Sequence, residues 1–139
     1  MNEKEFRYEF TGTEKPRGRF LKDFSIAALP FLDFRGNNGF LMFLNEVVKN
    51  IYDHAEGKGF VLLEKEGLVI RFMIKDYGTE SYDLAEIKKA GSKKPFNGVN
   101  YGAGICMNGI EDLAKGVGIV LQIDTSCGFT YTGTYPIPE

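Results

Sequence analysis

The chain has 139 residues, enough for one domain with a core of its own. Hydrophobic residues make up 43% and charged residues 26%, ordinary globular usage, which excludes a disordered, collagen-like or coiled-coil chain. A net charge of −2 leaves no electrostatic footprint for duplex nucleic acid or an anionic membrane, so neither is an expected partner.

Two cysteines, Cys106 and Cys127, are too few for a disulfide scaffold, and with a single histidine they leave no zinc set. The opening MNEKEFRYEF carries acids and no apolar run, unlike a signal peptide. The longest apolar run, Ile26 to Leu32, is too short for a membrane span. A cytoplasmic protein is expected. Glycine is the deviation in composition: 17 residues, where about ten would be usual for this length.

In chain order, Glu5 to Phe10 alternates and is aromatic, which predicts an edge strand. Thr11 to Arg19 reads as a loop. Phe20 to Phe34 is apolar without a clear period and is interrupted by Pro30; it suits a core segment or a homodimer interface equally well. Gly36-Asn37-Asn38-Gly39 looks like a helix start capped by Asn. Beyond it Phe40, Leu41, Leu44, Val47, Val48, Ile51 and Ala55 recur at three- and four-residue spacing, predicting an amphipathic helix to about His54. Phe60 to Lys65 and Leu68 to Lys75 flank Glu66-Gly67 as a hairpin. Tyr82 to Ala90 reads as a helix stopped by Gly91, and Lys93 to Tyr101 as a loop. A further helix is expected over Ile105 to Leu113, then two closing strands, Gly118 to Asp124 and Phe129 to Ile137. This order predicts an α+β fold of a single domain, a two-layer sandwich with a mixed, mostly antiparallel sheet and helices on one face.

Three short patterns carry chemistry. Glu46, Asn50 and Asp53 share one helix stripe away from the apolar one and offer a carboxylate base with oxygen ligands for a hard cation such as Mg²⁺. A solvated helix face has the same appearance. Asp76-Tyr77-Gly78 ends an apolar strand, where a carboxylate can accept from an exocyclic amine and glycine lets a flat ring approach. A plain strand-to-turn junction uses the same residues. Gly98 to Ile105 leads into a helix and, with glycine-freed amides, can cradle phosphate; the alternative is a flexible loop. Seven glycines fall between Gly91 and Gly118.

In order and spacing these patterns resemble the histidine-kinase-like ATPases of the GHKL superfamily, with the Bergerat ATP-binding fold. The matching residues are Glu-x-x-x-Asn (Glu46, Asn50), Asp-x-Gly (Asp76, Gly78) and Gly-x-Gly (Gly102, Gly104), spanning about residues 38–138. Asn50 to Ala55 and Asp76 to Asp83 are similar to the stand-alone anti-sigma-factor serine/threonine kinases. The resemblance implies ATP and Mg²⁺ as cofactors. It makes Glu46 the general base, Asn50 the Mg²⁺ ligand with Asp53 on the same stripe, and Asp76 the adenine anchor with Gly78 making room. Gly102, Gly104 and Ile105 would cradle phosphates, Lys93 and Lys94 would lie in a lid, and Thr130 would join the adenine's water network. It implies phosphoryl transfer to a small regulatory partner of the anti-anti-sigma type. Two other readings stay open: an ATP- or ADP-binding interaction module without transfer, and an ATPase domain working with a separate histidine-bearing chain. His54, the single histidine, sits on the same helix and is expected to be structural.

Overall fold

A computed structural model describes residues 4–90 and 103–138. The alternating N-terminal segment forms β1 (Glu5–Thr11) at a sheet edge, paired with β2 (Lys58–Glu66). Between them come α1 (Arg17–Ala28) and α2 (Asn37–His54). β2 turns at Gly67, which takes a left-handed conformation with φ of 59°, into β3 (Val69–Asp76). Then follow α3 (Leu84–Ala90), α4 (Ala103–Gly116), β4 (Val120–Asp124) and β5 (Thr130–Pro136). The sheet order is β1-β2-β3-β5-β4. Every pairing among the described strands is antiparallel, so the class is α+β but the sheet is not mixed.

Strand alternation decides which side is covered. Phe10, Val61, Leu63, Ile70, Phe72, Ile74, Tyr131 and Tyr135 point into the core with Phe40, Phe43, Leu44, Val47, Val48 and Ile51 of α2. On the opposite face Arg71, Met73 and Lys75 of β3 alternate with these core residues, and Met73 is exposed. Two layers result. No helix among the described residues is long and apolar enough to cross a membrane.

Three local expectations are corrected. The unassigned segment from Phe20 contains most of α1, which begins after Pro16 and buries Phe20, Phe24 and Ala28 at four-residue spacing. The period is hidden because Ile26 and Leu29, on the outer side, are also apolar and stand exposed. The α2 start is not capped by an Asn side chain: Gly36 is the N-cap at φ 82°, and the Asn37 amide turns back to donate to the Leu32 carbonyl. Helix α3 starts at Leu84 rather than Tyr82, because the Tyr82 amide donates to the Thr125 carbonyl (2.9 Å) and its own carbonyl accepts from the Thr125 hydroxyl.

Candidate functional site

Among the described residues two polar side chains are buried, Asn50 (8% exposed) and Asp76 (5%). Both line one cleft. Buried polar groups cost stability unless they are paired, so two in one place call for an explanation.

Asp76 is placed by the sheet. The β3–β5 register, with Lys75 opposite Thr130, sets Asp76 beside Phe129. The Asp76 amide donates to the Phe129 carbonyl (3.0 Å), and Oδ1 accepts from the amides of Phe129 (3.2 Å) and Gly78 (3.0 Å). That leaves Oδ2, which accepts no hydrogen bond from the described residues. Burial pushes the carboxyl pKa up, against the opposing pull of the two amides and of Lys75. Two glycines permit the arrangement. A Cβ on Gly78 would lie 3.1 Å from Asp76 Oδ1 and 3.6 Å from Gly128 Cα. Gly128 is left-handed at φ 64°, a Cβ added to it would collide with Asp76 Oδ1 and the Gly78 carbonyl, and its amide donates to the Glu80 carbonyl.

Helix α2 supplies the facing wall. The Asn50 Nδ2 donates to the Tyr131 hydroxyl at 3.4 Å, and Oδ1 accepts nothing from the described residues. One turn on, His54 lines the same cleft; burial lowers its pKa, Asp53 raises it and Arg17 lowers it, so the net shift is downward and the ring is neutral at pH 7. Apolar walls come from Ile87 of α3, Met107 of α4, Phe129 and Tyr131. The Phe129 ring stacks on Tyr82 and on Tyr131, with centroids 5.2 and 6.2 Å apart. The cleft has a volume of about 10 Å³, room for a single water molecule. That is far below the roughly 300–1,000 Å³ of a ligand cleft, so a flat ring system enters only as the α3–α4 wall moves away from Phe129 and Tyr131.

The expected site residues are thus brought together in part. Asn50 and Asp76 meet at the cleft; Gly78 does not line it but donates its amide to Asp76 Oδ1. Glu46, one turn before Asn50, does not line it; its carboxylate pairs with Lys49 Nζ at 2.6 Å and its side chain is 42% exposed. Asp53 is held by Arg17 in a two-pronged pair (Nε to Oδ1 2.9 Å, Nη2 to Oδ2 2.8 Å), which ties α2 to α1. Thr130 lies on the other face of the sheet, where its hydroxyl accepts from Lys75 Nζ at 3.3 Å. Gly104 and Ile105 fall in the first turn of α4, which starts at Ala103. Lys93, Lys94 and Gly102 lie outside the described residues.

Sequence reasoning missed Gly128, Phe129, Tyr131, Ile87 and Met107. One signal was available. The run Thr130-Tyr131-Thr132-Gly133-Thr134-Tyr135 alternates hydroxyl and aromatic, which puts the tyrosines inward and Thr130 outward. No three His, Cys, Asp or Glu side chains cluster to hold a metal among the described residues. A cation bound at Asn50 Oδ1, a hard neutral oxygen, would take its other ligands from phosphate and water, the usual manner of Mg²⁺. No protein-family model matches the chain, and no curated protein matches it.

Proposed function

We propose that the chain binds an adenine nucleotide in the Asp76 cleft. In this reading it has the Bergerat fold of the histidine-kinase-like ATPases and acts as an ATP-dependent serine/threonine kinase on a small regulatory protein of the anti-anti-sigma type. The supporting observation is the meeting of the two buried polar side chains in one apolar-walled cleft, each with an oxygen that accepts nothing from the described residues. The Asp76 carboxylate lines the cleft, where an acceptor oxygen is suited to a ligand N–H. An exocyclic amine meets Asp76 Oδ2, while the ring lies between the α3–α4 wall and Phe129 and Tyr131.

Asn50 Oδ1 is the oxygen suited to Mg²⁺, which when bound neutralises phosphate charge. Glu46 is the base that takes the proton of the acceptor hydroxyl. Gly102, Gly104, Ile105, Lys93 and Lys94 are assigned to the phosphates by resemblance.

One observation favours a second reading, a nucleotide-binding module without transfer: Glu46 is paired with Lys49 and stands outside the cleft lining. Incubation with labelled ATP and a purified anti-anti-sigma-type domain separates the two. The kinase reading expects a labelled serine or threonine, with Glu46→Gln keeping ADP binding and losing the label. Binding without any label in the wild type replaces it with the module.

A further inference from the structure

We propose that two copies of this chain associate through β1: the two strands pair antiparallel across a two-fold axis at Tyr8, so that Arg7 of each copy faces Glu9 of the other. The inference is independent of the nucleotide reading.

β1 ends the sheet, with no strand beyond it among the described residues. An open edge offers unpaired backbone groups to any extended chain, and proteins commonly blunt it by shortening, a bulge or a proline. β1 has none of these, and runs seven residues in unbroken register against β2. Ladder parity shows which groups are on offer. The Lys65 amide donates to the Lys4 carbonyl (2.7 Å), so by alternation Phe6, Tyr8 and Phe10 bond inward to β2. The amides and carbonyls of Glu5, Arg7, Glu9 and Thr11 therefore point outward.

Charge then selects the occupant and its register. Centred on Arg7, two copies of β1 would set Arg7 against Arg7 and Glu5 against Glu9; centred on Glu9, they would set Glu9 against Glu9. Like charges directly opposed destabilise a ladder. Centring on Phe6 overlaps only Glu5 to Arg7 of the strand. Centring on Tyr8 overlaps all seven residues and makes two Arg7–Glu9 pairs, with Phe6 against Phe10 and Tyr8 against Tyr8. The charged pair is ready on the outer face: Arg7 and Glu9 lie 3.5 Å apart within one copy, and both are well exposed. Arg7 stacks over the Phe60 ring at 4.4 Å, and Glu9 accepts from the Tyr77 hydroxyl, which holds both in place. On the inner face the half-buried Phe6 and Tyr8 pack on Phe24 of α1 and are covered by the partner's strand. Helix α1 leaves room, because its flank opposite Ser25, which bonds Asn45 of α2, carries the short Asp23 and Ala27. The other edge strand, β4, is a poorer match. It has five residues, and a two-fold at Gln122 would oppose Val120 to Asp124.

The experiment is sedimentation equilibrium of the wild type, Arg7→Glu, Glu9→Arg and an equimolar mixture of the two variants, from micromolar to near-millimolar concentration. The wild type should dimerise, and each variant alone should raise the dissociation constant at least about tenfold. In the mixture every facing pair is again opposite in charge, so a mixed dimer of wild-type strength is expected. A wild type that stays monomeric overturns the proposal. Single variants that dimerise like the wild type also overturn it, placing the contact elsewhere, and a mixture that fails to associate overturns the register. Amide hydrogen exchange of the wild type needs no variant to fold. Protection of the Arg7 and Glu9 amides should rise with protein concentration, and equal exchange at both ends of the range overturns the pairing.

Discussion

Asp76→Asn exchanges one oxygen for an NH₂ group at the point where the cleft is most specific. The framework survives the exchange, because an Asn oxygen still accepts from the amides of Gly78 (3.0 Å) and Phe129 (3.2 Å). The other end changes from acceptor to donor and opposes the exocyclic amine. A hydrogen bond to a charged group contributes about 1.5–3 kcal/mol, or roughly 10- to 150-fold in Kd, and opposed donors add to the loss. ADP affinity should therefore fall at least about a hundredfold.

Stability moves the other way. Burial raises the Asp76 pKa above its ordinary 3.8 in the fold. The carboxyl's stabilising contribution is thus fully present below 3.8 and is lost as pH rises through the folded pKa. At pH 7 the wild type carries the cost of a buried carboxylate, which Asn lacks. Calorimetric titration with ADP and thermal melts across acid and neutral pH read both effects. A variant that binds ADP like the wild type, or that melts well below it at pH 7, refutes the reasoning.

Gly128→Ala puts a Cβ against the Asp76 carboxylate from a left-handed backbone. It should cost about 1–3 kcal/mol, a drop of several degrees in Tm, and weaken ADP binding; an unchanged melt contradicts it. Arg17→Ala leaves Asp53, 10% exposed, without its two-pronged partner. With the arginine 41% exposed, the expected loss is about 1–2 kcal/mol by denaturant melt, and no change refutes the linkage of α1 to α2. His54 has its pKa lowered from 6.5, so its contribution is full above 6.5 and declines as pH falls from there through the folded pKa. His54→Asn should flatten that slope, and identical pH–stability curves would show that the buried ring is not its source.

The parts of the fold legible in the sequence are those whose signal is local. Helix α2 announces itself because its apolar residues hold one face against a polar other. The β2–β3 hairpin does so because two β-rich runs meet at one glycine. Helix α1 stays hidden because apolar residues stand on both of its faces. At the site, Asn50 and Asp76 are legible as residue types at suggestive spacings. Which of their neighbours share the cleft depends on tertiary choices. Asp53 points to an arginine 36 residues earlier, and Glu46 is taken by its own helix neighbour. Gly128 and Tyr131 reach Asp76 and Asn50 through the β3–β5 pairing, which joins residues more than 50 apart in the chain. Composition and spacing carry no trace of that pairing; strand alternation carries only the direction each side chain faces.

The backbone amides of Gly78 and Phe129 both donate to Asp76 Oδ1, so they report occupancy of the carboxylate's other oxygen. Titration of ¹⁵N-labelled protein with ADP, followed by amide chemical shifts, should move these two signals first and furthest, together with those of Met107 and Tyr131. Saturating ADP that leaves the Gly78 and Phe129 amides in place would contradict nucleotide binding at Asp76.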